Sequence, residues 1–236
     1  MLLAIDTSTR YAGVALLNGD GQLVRLAHWR SKQNHSVELL PTIQSLLQSE
    51  QVRMKALVGI AVALGPGSFS ALRVGLSVAK GLAWASSLPL VSATTLETEA
   101  FLYRHTGKTI CAVLDAGRDQ VASALFRAND GSISKVREEE INTPRDTLFS
   151  LPSPTLVCGE ALEKFGATMS EATPEGVTLA LPYLPGQRVV SLAYLGWARL
   201  NACVTQDPAS LQPLYLRRPT ITGPKRPDAH RPEARR

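Results

Sequence analysis

Apolar residues in the first thirty positions fall into short runs separated by polar turns, the pattern of β-strands. LLAID (2–6), YAGVALLN (11–18) and QLVRLAHWR (22–30) read as three strands, and Asn18-Gly19-Asp20-Gly21 between the last two is a hairpin signal. From Ser36 to Ser49 the period lengthens. Leu39, Leu40, Ile43, Leu46 and Leu47 share one face, and Glu38, Thr42, Ser45 and Ser49 lie opposite, which predicts an amphipathic helix. Pro41 is expected near its first turn, where a missing N–H is tolerated. Residues 57–64 are almost wholly apolar, as in a strand covered on both faces. They lead through GPGSFSALRVG into a helix ending near Ser86, followed by a buried strand, LPLVSA, and a helix over 94–105.

A second series begins near Lys108. KTICAVLDA, DQVASALFRA and ISKVREEEI read as strands, followed by TLVCG, a helix near 160–166 and a longer helix near 191–203. Proline-rich stretches at 152–154 and 182–186 read as loops. Each half opens with an apolar run, an aspartate, a turn and a second apolar run. The order predicts an α/β protein with mixed sheets flanked by helices.

Composition adds little until the charge is located. The 236 residues are 44% hydrophobic and 19% charged, as in an ordinary globular protein. No apolar run approaches the ~18–20 residues that span a bilayer. The start, MLLAIDTSTR, reaches a carboxylate at Asp6 and does not read as a signal peptide, so a cytoplasmic protein is expected. The net charge is +5, from 25 Lys/Arg and 20 Asp/Glu. Residues 217–236 hold seven Lys/Arg and two Asp/Glu, also +5, leaving 18 of each sign in a neutral body. The basic excess is thus a proline-rich tail, too poor in apolar surface to fold alone and predicted to be disordered. Such a tail is either a solvated end or a weak contact for RNA phosphates. Cys111, Cys158 and Cys203 form no C-x-x-C pair and read as buried free thiols. His28, His35, His105 and His230 form no i, i+4 pair, so no helix offers two imidazoles to a metal.

Three segments carry candidate chemistry. Asp6-Thr7-Ser8-Thr9 ends the first strand; a carboxylate followed by hydroxyls can hold a hydrated magnesium ion or can merely satisfy its own turn. Gly65-Pro66-Gly67-Ser68 joins a buried strand to a helix. Its glycines allow tight backbone geometry, and Ser68 can cap a helix whose N-terminus attracts anions. Asp115 ends a strand of the second series and could mirror Asp6. In the helix after Gly67, Ala71, Gly75, Ala79 and Ala83 recur every four residues, which favours close packing on the chain's own sheet or on a partner.

LLAIDTST (2–9), HSVELLPTIQSLL (35–47), GPGSFSALRVG (65–75), AKGLA (79–83), LDAGRDQV (114–121) and PLYLR (213–217) resemble the TsaB (YeaZ) family. The likeness is dense over 1–121 and looser beyond, and Ser70-Ala71 stand where that family has Thr-Gly. The resemblance implies an actin/Hsp70/acetate-kinase-like (ASKHA) fold of two related subdomains, 1–106 and 107–216, with the tail over 217–236. It implies a non-catalytic scaffold for forming N6-threonylcarbamoyladenosine at position 37 of tRNAs reading ANN codons. Asp6, Thr7, Ser8, Thr9, Gly65, Gly67, Ser68 and Asp115 would be degenerate nucleotide-fold loops. The implied partners are a TsaD-like catalytic subunit, a TsaE-like ATPase, tRNA through the assembled complex, and a second copy of the chain, with no membrane contact. The transferase of that family carries a metal-binding H-x-x-x-H; Thr94–Glu99, the corresponding stretch, has no histidine. ATP/ADP and a divalent metal would therefore belong to the complex and not to this chain alone. The implied partner interface comprises Leu39, Leu40, Ile43 and Leu47 of the first helix with Leu72, Arg73, Gly75, Leu76 and Ala79 of the second. The competing expectation is an enzyme of the same superfamily, a small-molecule kinase or a metalloprotease-like protein.

Overall fold

The computed structural model describes residues 1–32 and 34–217, so the basic tail from 218 on lies outside the described residues. The first half contains β1 (Leu2–Asp6), β2 (Tyr11–Leu17), β3 (Leu23–Arg30), α1 (His35–Ser49), β4 (Gly59–Ala63), α2 (Phe69–Ser86), β5 (Leu90–Ala93) and α3 (Thr95–Phe101). The second contains β6 (Thr109–Gly117), β7 (Gln120–Asn129), β8 (Ser132–Asn142), α4 (Pro144–Phe149), β9 (Thr155–Cys158), α5 (Ala161–Glu171), β10 (Val177–Leu179) and α6 (Gln187–Asn201).

The same topology is built twice. The first sheet runs β3-β2-β1-β4-β5 and the second β10-β9-β6-β7-β8, which is the corresponding order read from the other edge. In each, a hairpin meander supplies the antiparallel strands, and helical crossovers supply the parallel ones. The centre of the first sheet, β1 and β4, is buried along its whole length, as its unbroken apolar sequence requires.

Helices cover both faces of each sheet. α1 and α2 cover one face of the first sheet through Leu39, Ile43, Leu47, Leu76 and Ala79, while α6 covers the other through Val189, Leu192 and Ala193. On the second sheet α5 packs through Ala161, Leu162 and Phe165, and α3 covers the opposite face through Leu96 and Ala100. The last helix of each half therefore packs on the sheet of the other half, or across it: α3 lies against β6, β7 and β8, and α6 against β1, β2, β4 and β5. α3 and α6 also touch each other, and this exchange places their first turns at the junction of the two lobes.

Several elements differ from the sequence-based expectation. α1 begins at His35, so Pro41 is its seventh residue rather than part of its first turn. Pro41 lies on the exposed side, where water can bond the carbonyl left without a donor. The helix predicted over 160–166 continues to Glu171, and α6 begins four residues before Ser191. Among the cysteines, Cys111 and Cys158 are buried as expected, but Cys203 is exposed in the turns after α6.

Candidate functional site: the inter-lobe junction

β1 ends in Asp6-Thr7-Ser8-Thr9, and the side chains of Asp6, Thr7 and Thr9 are each tied to another element. The Asp6 Oδ1 accepts from the Ser8 backbone N–H at 2.8 Å and from Ser8 Oγ at 2.5 Å, closing an Asx turn. Thr7 Oγ1 donates to the Ala71 carbonyl of α2 at 2.6 Å. Gly75 makes that approach possible, since a Cβ there would stand 2.3 Å from Thr7 Oγ1. The small-residue pattern of α2 is thus explained at Gly75 by the chain's own turn. Ser8 in turn accepts through its carbonyl from the Ser68 N–H at 2.8 Å. A Cβ on Gly67 would lie 2.0 Å from the same carbonyl oxygen, which is why glycine is required there.

Three candidates read in the sequence, the Asp6 turn, the Gly65–Ser68 loop and the start of α2, therefore form one assembly. Ser68 sits at the N-cap of α2, but its side chain makes no capping hydrogen bond, contrary to the expectation for it. Gly65, at φ +107°, bonds through its carbonyl to the Thr95 N–H that opens α3. Asp115 does repeat the local geometry of Asp6: its Oδ1 accepts from the N–H two residues on, at Gly117. Its other oxygen meets Lys164 at 3.3 Å on the exposed side of the cleft.

The decisive partner of Asp6 is a residue that the sequence did not single out. Arg188, in the first turn of α6, is 4% exposed and donates from its Nε to Asp6 Oδ2 at 2.6 Å. Its Nη1 donates to Glu160 Oε2 at 2.9 Å and Glu99 Oε1 at 3.2 Å. Its Nη2 donates to Thr9 Oγ1 and to the Tyr11 carbonyl, both at 2.9 Å. All five guanidinium N–H groups are engaged, which is the condition for burying such a cation. Thr9 Oγ1 donates its own hydrogen bond to Glu160 Oε2 at 2.5 Å, and Tyr183 Oη donates to Glu99 at 3.2 Å.

Burial favours a neutral Arg188, but the negative charges around it, Asp6 first and then Glu99 and Glu160, outweigh it and hold its pKa well above the ordinary value. For Glu99 the balance tips the other way. Burial outweighs the Arg188 charge and, with repulsion from Glu160, raises the carboxyl to about 7. Burial and the nearby Glu99 also push the Tyr183 hydroxyl far up, so it acts only as a donor.

In front of this network lies a cleft of about 930 Å³ between the lobes, bordered by Gly67 and Ser68 on one side and Asp115 and Gly117 on the other. The segment Pro213–Arg217 crosses it. The Leu214 N–H bonds to the Leu64 carbonyl, the Tyr215 ring packs on Phe69 at 4.9 Å, and Arg217 Nη1 donates to the Ala116 carbonyl at 3.0 Å.

The fold implies a nucleotide and a divalent cation, and the side chains present do not fit a metal at Asp6. Both carboxylate oxygens are already engaged, Oδ1 by two hydrogen bonds from Ser8 and Oδ2 by the Arg188 cation. Three acids surround the planar guanidinium fork without converging on one point, and no group of three His, Cys, Asp or Glu among the described residues could hold an ion.

The predicted partner interface needs correction. Leu39, Ile43, Leu47, Leu72, Gly75, Leu76 and Ala79 are buried in the chain's own core, because the apolar stripes of α1 and α2 face the first sheet. Of the predicted set only Leu40, 49% exposed, and Arg73 remain on the outer surface. Val37 at 63% and Trp84 at 75% are the other large exposed apolar groups on these helices. Arg73 also donates to Tyr215 Oη at 3.1 Å and stacks 3.8 Å over the Phe69 ring.

The duplicated sheets, exchanged helices and inter-lobe cleft define a two-lobed α/β protein of the actin/Hsp70/acetate-kinase class. A putative N-acetylmannosamine kinase from Listeria monocytogenes, 9% identical, shares this fold over 85% of the chain and 99% of its own, with a TM-score of 0.55. The family described as TsaD, tRNA N6-adenosine threonylcarbamoyltransferase, matches residues 30–203. The chain is similar to the tRNA threonylcarbamoyladenosine biosynthesis protein TsaB of Bacillus subtilis, 38% identical over 135 residues. That stretch is 57% of this chain and 58% of the relative, so the chain matches less than two thirds of that relative's length. YeaZ from Pseudomonas aeruginosa is 28% identical and superimposes with a TM-score of 0.74, covering 91% of this chain and 99% of its own. The chain belongs to the TsaD family, within its TsaB (YeaZ) group.

Proposed function

We propose that this chain is a non-catalytic subunit that supports a TsaD-like transferase in forming N6-threonylcarbamoyladenosine at position 37 of tRNAs reading ANN codons. The observation that carries this reading is the Asp6–Arg188 pair at 2.6 Å. The carboxylate best placed to hold a metal is committed to an internal cation, so the chain's contribution is structural. The likeness to TsaB and YeaZ supports the pathway. Val37, Leu40 and Trp84 on the outer side of α1 and α2 supply apolar anchors for a partner of related fold, as interfaces favour large aromatic and aliphatic groups.

In this reading a TsaE-like ATPase joins near the same helices, and ATP/ADP and a divalent metal serve the assembled complex. tRNA is bound by that complex, and without the catalytic partner the same face pairs with a second copy of the chain. The test is reconstitution with a TsaD-like protein, a TsaE-like ATPase, tRNA and threonylcarbamoyl-adenylate. Activity should be absent with this chain alone and restored on mixing. Tight magnesium-ATP binding by the isolated chain, measured by calorimetry, would favour the kinase reading instead.

A further inference from the structure

Two-lobed proteins commonly set their opening by closing around a ligand. Here the residues at the junction suggest a different device. Asp6, Thr9 and Tyr11 belong to the first sheet and its turn, whereas Glu99 lies on α3, packed against the second sheet, and Glu160 stands at the start of α5. One side chain bonds all five of them, and it emerges from the first turn of α6. The planar fork fixes directions as well as charge, unlike an ammonium group or a hydrated ion. The charges nearly balance: Asp6, Glu99 and Glu160 face Arg188, and Arg10 lies 3.8 Å from Glu160.

We propose that Arg188 is a lobe clasp, a built-in cation that ties the β1–β2 turn to Glu99 and Glu160 and holds the inter-lobe cleft at one opening without a bound ligand. The clasp is a property of the chain by itself and does not depend on which reaction the chain serves. It makes the chain a rigid two-lobed body, in which the cleft of about 930 Å³ is set by Arg188 and not by an occupant.

Nitroxide labels at Gln44→Cys on α1 and Glu138→Cys on β8 report the distance between lobes. Cys203→Ser removes the exposed native thiol, while Cys111 and Cys158 are buried. The otherwise wild-type chain should give one narrow distance distribution, unchanged by magnesium-ATP. Arg188→Ala should lose that single narrow peak and unfold at lower temperature. Arg188→Lys, which keeps the charge but not the fork, should also broaden it. Millimolar ethylguanidinium should restore the narrow peak in Arg188→Ala, whereas magnesium chloride should not. An Arg188→Ala distribution as narrow as wild type overturns the clasp, as does a wild-type distribution that shifts with magnesium-ATP. If Arg188→Ala does not fold, Glu160→Gln serves in its place, because it weakens the tie to α5 and leaves the Asp6 pair intact. Broadening there supports the clasp, and an unchanged distribution refutes it.

Discussion

At the scale of single residues, the junction sets three acids against one buried arginine. Truncating Arg188 leaves Asp6 uncompensated in the interior, a change that costs on the order of 3–5 kcal/mol for a buried pair. Glu99 bears the other consequence. Its folded-state pKa of about 7 lies above the ordinary carboxylate value, so its contribution to stability is fully present below about pH 4.5 and is lost as the pH rises through 7. Glu99→Gln should therefore match the wild-type melting temperature near pH 4.5 and exceed it increasingly up to about pH 7, with a constant gap above. A gap that shrinks with rising pH would contradict this sign. Gly67→Ala should destabilise by at least the ~1–3 kcal/mol of ordinary overpacking, because its Cβ meets the Ser8 backbone and not a movable side chain; denaturant unfolding measures it. The Asp6 turn and the Gly67 loop were legible because each is a contiguous string with a local physical signature. Arg188 was not legible, since it sits 182 residues from Asp6 and 89 from Glu99, and no local spacing announces such a pairing.

Elements tell a related story about faces. Periodicity placed α1 and α2 correctly and grouped their apolar residues, but an apolar stripe does not say whether it meets the chain's own sheet or another protein. Packing settles it: Leu39, Ile43, Leu47 and Leu76 join Leu3, Ile5 and Ile60 in one core. The partner surface of the proposal thus rests on the outer side chains. Leu40→Glu and Trp84→Glu should each leave the melting temperature within about 2 °C, as exposed substitutions usually change stability by less than ~0.5 kcal/mol. Together they should abolish co-purification with the TsaD-like protein. Retained co-purification would remove these helices from the interface. One missed helix and one misplaced boundary have clear causes. α4, which the sequence-based expectation lacks, is only six residues long and too short to show a helical period, although its start carries the Thr143-Pro144 signal, with Thr143 Oγ1 accepting from the Asp146 N–H at 3.1 Å. The first turn of α6 follows Pro182 and Pro185-Gly186 and so resembled a loop, which hid the turn that carries Arg188.

For the whole molecule, the coarse likeness between the two halves becomes two sheets of one topology. The exchange of α3 and α6 could not be read from the order of elements, because it is settled only when each helix finds an apolar face to cover. That exchange brings Glu99 and Arg188 to the same place and makes the junction a packed interior instead of an open hinge. Such a chain commits Asp6 to an internal ion pair and, in the proposed reading, offers a partner a fixed surface. The most direct test of the proposed role is threonylcarbamoyl transfer to tRNA by purified components, with and without this chain. This chain alone should give no transfer, and the TsaD-like and TsaE-like proteins should give transfer only when it is present. Full transfer in its absence, or transfer catalysed by this chain on its own, would refute the supporting role.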